Sequence, residues 1–233
     1  MAELETPAAS LADGPPTGAI EARWPVALAV TAFLAGTVVL RVAVPHKETL
    51  HPDWLVPSLE ALMLVLLLAA SPASLSRRAR VLRPLAIGLV VMLALLALIA
   101  TSVLIYDLIR GGPVTNSADD LLASGALIWF GNVLVFSLMY WLLDSGGPLA
   151  RYRREHAYPD FAFPQQQSPE LAPPDWRPHY VDYLILGLTT STAFSPTDVL
   201  PMAPWAKLAM AVQSIISLLT IGLVIARAVN VFT

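Results

Sequence analysis

At 233 residues, with 56% hydrophobic and 13% charged side chains and a mean hydropathy of +0.65, the chain lies far from soluble domains, in which about 25% of residues are charged. The absence of cysteine excludes disulfides, thiol catalysis and iron–sulfur ligation, and the few Lys and Arg residues form no stripe of the kind that binds nucleic acid. The bilayer is the expected solvent and partner, and the net charge of −3 says little beside that.

Residues 1–22 carry Pro7, Gly14, Pro15, Pro16 and Gly18 among small and acidic residues. They read as a disordered tail, because they lack the basic start and apolar core of a secretory signal. Residues 23–233 read as one transmembrane helical domain. Five apolar stretches, 24–44, 54–73, 84–109, 120–143 and 205–230, match or approach the roughly 20 helical residues that span hydrocarbon. Pro84 is expected in the first turn of the third, where a missing N–H costs nothing. Tyr106, Tyr140 and Trp141 stand where an interfacial aromatic belt is expected. The connection 144–178 holds Gly146, Gly147, Pro148, Gln165, Gln166, Gln167, Pro173 and Pro174, and reads as an exposed loop with a short amphipathic turn around Tyr152 and Tyr158.

Residues 179–198 are ambiguous: apolar from Tyr180 to Leu188 apart from Asp182 and Gly187, then polar through Thr189, Thr190, Ser191 and Thr192. If the segment crosses, the fold is an all-α polytopic bundle of six spans. If it dips in and returns, the fold has five spans and a re-entrant pore loop. Lys and Arg collect on the cytoplasmic side of short loops. Six spans with a cytoplasmic N-terminus put Arg23, Arg77, Arg78, Arg80, Arg83, Arg151, Arg153, Arg154, Arg177 and Arg227 inside, ten against Arg41, Lys47, Arg110 and Lys207 outside. Five spans with the loop entering from outside invert this to four inside and ten outside. Five spans in the opposite orientation restore most of the bias but leave the C-terminus external. The expectation is therefore six spans in the cell membrane with both termini cytoplasmic.

The run Thr192-Ala-Phe-Ser-Pro-Thr-Asp198, with Pro201 and the helix start at Trp205 to follow, resembles the pore module of potassium channels over about residues 183–228. The glycines that let a filter point successive carbonyls at the ion are replaced by Ser195, Pro196 and Thr197. The whole chain also resembles an uncharacterised family of bacterial six-span membrane proteins of about 230 residues, through its length, its hydroxyl-rich fifth span ending in an aspartate, and a final helix ending in Ala228-Val229-Asn230. That resemblance implies the fold and no particular activity.

Candidate pore- or cavity-lining residues are Thr189, Thr190, Ser191, Thr192, Gln213, Ser217 and Thr220. The last three share one helix face by their spacing, although Ser and Thr also hold packed helices together, at about 0.6 kcal/mol per bond. Glu60, inside the second span, is a candidate intramembrane acid: an unpaired carboxylate there costs about 2 kcal/mol or more, so it is a proton-relay or cation-site candidate unless Arg41 pairs with it. His46, His51 and Asp53 have no recognised metal-ligand spacing. No metal or cofactor is expected. No nucleophile elbow, phosphate loop or catalytic dyad is present, so no enzymatic activity is expected. The expected function is a channel-like or transporter-like path for monovalent cations or protons lined by the last two spans, in a chain with the potential to form homo-oligomers. The alternative is a non-transporting scaffold whose loop 144–178 binds a partner.

Overall fold

The computed structural model describes residues 24–43, 58–59, 61–63, 65, 77–110, 118–153, 155–174, 176–192 and 198–232. Its long helices are α1 (Trp24–Ala43), α2 (Arg77–Arg110), α3 (Ala118–Leu143) and α7 (Pro204–Phe232). Between α3 and α7 lie a short helix α4 (Pro148–Arg153), a strand β1 (Phe161–Ala162), a single helical turn α5 (Pro164–Gln167), the half-length helix α6 (Tyr180–Thr192) and a strand β2 (Leu200–Pro201). Most of the residues described are helical. Three helices are long and apolar enough to cross a membrane, over Pro84–Val103, Leu121–Gly146 and Pro204–Arg227. These apolar runs leave no polar side for water, so their outward residues stay apolar: Leu95, Phe130, Leu208 and Ile225 are all more than half exposed, as expected of surfaces that face lipid.

Helix α2 starts earlier than its apolar run, at Arg77, so Pro84 lies inside the helix and not in its first turn. There its ring faces the carbonyl of Arg80 and removes one ladder bond. Tyr140 and Trp141, expected at the interface, are instead 0% and 4% exposed in the core, while Tyr106 is exposed.

Helix α3 is central. It packs against α1, α2, α6 and α7. Its pairing with α1 is antiparallel, Gly36 facing Leu127 and Gly131 facing Phe33. Its pairing with α7 is also antiparallel, Gly125 facing Val224 and Asn132 reaching Ser217. At the end of the bundle where α3 stops, Ser145, Gly146 and Gly147 take successive positive φ values of 49°, 76° and 90°. This left-handed run, easy for glycine and costly for serine, turns the chain sharply back over the bundle.

The loop that follows forms a cap with its own core. Phe161 is fully buried and its ring meets Tyr140 of α3 at 5.1 Å, Trp205 of α7 at 5.6 Å and Tyr183 of α6 at 6.5 Å. Phe163 packs on Tyr183 and Trp176. The expected exposed loop thus anchors itself with two aromatic side chains and leaves Tyr158 and Leu171 exposed.

β1 and β2 pair antiparallel, Phe161 with Pro201 and Ala162 with Leu200, and the Met202 N–H donates to the Asp160 carbonyl at 2.8 Å. Both ends of the 180–201 segment therefore lie at one end of the bundle. Helix α6 starts beside Trp141 and Phe161, and α7 starts beside Phe161, so the two run parallel. The 13 residues of α6 reach about 20 Å, short of the roughly 30 Å of hydrocarbon. With Tyr180 and Pro201 at the same end of the bundle, the arrangement has the geometry of the re-entrant alternative.

Candidate functional site

Two buried polar clusters hold α6 in place, one at mid-depth and one beneath the cap. The first centres on Gln213 of α7, which is fully buried. Its amide nitrogen donates to the Gly187 carbonyl and to Ser191 Oγ, both at 2.8 Å, and its Oε1 accepts the Tyr140 hydroxyl at 2.5 Å. One residue on, Ser214 Oγ donates to the Thr190 carbonyl at 3.1 Å. From α3, the fully buried Asn132 donates its amide to Ser217 Oγ at 2.7 Å and to the Gln213 carbonyl at 3.2 Å. Three helices thus meet through neutral donors and acceptors.

Glycine makes this approach possible. A side chain at Gly187 would collide with Ser137 Oγ and come within 3.1 Å of the Val133 carbonyl, so α6 lies almost backbone to backbone against α3. Ser137 turns its hydroxyl back to the Val133 carbonyl at 2.6 Å, which satisfies it without a partner on α6.

The seven lining candidates separate by environment. Ser191, Gln213 and Ser217 join the network. Thr220 is buried but bonds back to the Ile216 carbonyl at 2.8 Å. Thr189 and Thr192 lie toward the outside of α6 and return their hydroxyls to their own helix, Thr189 to Ile185 and Leu186, Thr192 to Leu188 and Thr189. Thr190 is 3% exposed, and its hydroxyl has no protein partner. Glu60, His46, His51 and Asp53 lie outside the described residues.

The second cluster was not expected. Asp144, which follows α3, is 1% exposed. Its carboxylate accepts the Tyr183 hydroxyl, Ser145 Oγ at 2.9 Å, and the backbone N–H groups of Asp160 at 3.1 Å and Phe161 at 3.3 Å. Asp160 reciprocates, accepting the Ser145 N–H at 2.8 Å. Arg151 donates to the carbonyls of Trp141 at 2.7 Å and Asp144 at 2.9 Å, filling acceptors that a helix C-terminus leaves open. Its guanidinium also lies 5.0 Å from the centre of the Tyr183 ring. One carboxylate therefore joins the end of α3, the first strand of the cap and the first turns of α6. Gln167 adds a link across the cap, donating to the carbonyls of Ala162 at 2.9 Å and Asp198 at 3.4 Å.

Sequence reasoning gave no place in a site to Asn132, Tyr140, Asp144 or Tyr183. For Asn132 a signal existed: it is the one amide in an otherwise apolar span, and polar side chains at such depth face protein partners. Chemically, the mid-depth cluster offers neutral oxygens beside the C-terminal end of α6, where the helix dipole is negative. No protein-family model, curated protein or solved structure matches this chain.

Proposed function

We propose that the chain is a multi-pass membrane protein of five spans with a re-entrant α6, and that α6 and α7 line a channel-like or transporter-like path for monovalent cations. The observation that carries this reading is the half-length helix that enters beside the cap, ends at mid-depth and returns to a strand paired at its point of entry. Non-helical backbone at membrane depth is tolerated where protein buries it or where it lines water, and helix C-termini at mid-membrane favour cations.

The charge balance agrees with this topology as well as with six spans. When the cap side is cytoplasmic, Lys207 moves inside and Arg227 outside, and the count stays at ten to four. The N-terminus is then cytoplasmic and the C-terminus external.

A double variant, Ala162→Cys with Leu200→Cys, tests the topology in a chain with no cysteine of its own. Directly paired antiparallel residues have Cα atoms about 4.5–5.5 Å apart, within disulfide range. The expected outcome is an intramolecular disulfide formed in native membranes under mild oxidation; failure to form it refutes the re-entrant reading. Transport is tested by cation flux into liposomes containing the wild-type protein. Flux no greater than that of protein-free liposomes refutes the path and leaves the scaffold reading, which the exposed Tyr158 and Leu171 on the cap support.

A further inference from the structure

The mid-depth network leaves two buried oxygens over. Asn132 Oδ1 and Thr190 Oγ1 have no protein partner, in residues that are 0% and 3% exposed. Unpartnered polar atoms at such burial are uncommon. Asn132 cannot escape by flipping its amide: its nitrogen donates to a carbonyl and a hydroxyl, and the reverse orientation would set two carbonyl oxygens against each other. Thr190 differs from Thr189 and Thr192, both of which return their hydroxyls to their own helix.

Packing brings the two residues to one level. Helices α3 and α6 are antiparallel and touch where Gly187 meets Val133 and Ser137, so one turn further along α6, at Thr190, corresponds to one turn back along α3, at Asn132. Helix α7 touches both at that level, Ser214 at the Thr190 carbonyl and Gln213 at Asn132. The C-terminal turn of α6 contributes a fixed negative potential, and the named ligands are amide and hydroxyl oxygens without a carboxylate. Such a set suits a singly charged hard cation, because divalent ions are ordinarily held with carboxylates.

We infer that Asn132 Oδ1 and Thr190 Oγ1 are ligands of a desolvated alkali cation, sodium or potassium, at the inner end of α6. This deepens the reading of a cation path and rests on it.

The test uses Thr190→Val, which is close in shape and removes only a hydroxyl that no protein atom uses. Melting temperatures of purified full-length protein are compared in sodium chloride, potassium chloride and choline chloride at equal ionic strength. The wild type is expected to melt about 5 °C higher in one alkali salt at saturating concentration than in choline. Thr190→Val is expected to lose that shift and, in choline, to melt at or above the wild type, since a buried unpartnered hydroxyl has been removed. Three results overturn the inference: a wild type that melts alike in all three salts, a variant that keeps the wild-type shift, or a variant destabilised equally in every salt, which means a bound water only. The Ala162→Cys, Leu200→Cys disulfide separates the two levels. If it forms and no cation shift appears, the site fails and the topology stands; if it does not form, the topology itself fails.

Discussion

Replacing Gln213 with leucine keeps an apolar side chain of similar reach in the same place and removes three hydrogen bonds, those to Tyr140, Gly187 and Ser191. Side-chain bonds between membrane helices are worth about 0.6 kcal/mol each, giving about 2 kcal/mol. The partners fare differently. The Gly187 carbonyl keeps its place in the helical ladder, and Ser191 can turn its hydroxyl back along its own helix. Tyr140, 0% exposed, is left with a buried hydroxyl, for which about 1–3 kcal/mol is usual. Leucine recovers part of this by avoiding the burial of an amide, so the expected net loss is about 2–4 kcal/mol. Equilibrium unfolding in mixed micelles measures it. The companion variant Tyr140→Phe removes the orphan, so the double variant should be less destabilised than the sum of the singles, with about 1–2 kcal/mol of coupling. Hydrogen exchange should quicken over residues 183–192 well before it does in α3. Strict additivity, or a Gln213→Leu cost below about 0.5 kcal/mol, would show that the network does not hold α6 and would refute the reasoning.

Asp144→Ala removes the one acceptor shared by Tyr183, Ser145, Asp160 and Phe161. The expected cost is about 3–5 kcal/mol, as for a buried charge network broken on one side, with protease cleavage appearing within residues 155–174; an unchanged cleavage pattern counts against the clasp. Gly187→Ala sets a methyl group against Ser137 Oγ and the Val133 carbonyl and should cost about 1–3 kcal/mol. Adding Ser137→Ala should return part of that loss, because only the hydroxyl of Ser137 is in close conflict, and the same unfolding titration reads both.

The long helices α1, α2, α3 and α7 could be read from sequence because a long apolar run is a local property, visible without any knowledge of its neighbours. The course of helix α6 could not be read from sequence, for the complementary reason. Its direction of return depends on a pairing with β1, and two-residue strands carry no periodicity to detect. Counting charges did not help, because Lys207 and Arg227 exchange sides and leave the balance unchanged. Within the site, Ser191, Gln213 and Ser217 were picked out by their polarity in apolar runs. Tyr140 and Trp141 were assigned to the interface because aromatic residues near the end of a span are common there; the cap, folded back by Ser145–Gly147, covers that end and turns an interface into a core.

The strand pairing also bears on how the protein is made. Phe161 leaves the ribosome forty residues before Pro201, its partner, and α6 leaves before Gln213, the side chain that fixes it to α7. For that interval α6 is a 13-residue segment, apolar in its first part and hydroxyl-rich at its end, with neither its return strand nor its clamp, too short to span on its own. In the proposed re-entrant topology, insertion of the C-terminal third would be completed backwards, with α7 entering the bilayer first and α6 being drawn in beside it afterwards. A ribosome stalled before about residue 213 would yield a chain whose α6 is still outside the bundle.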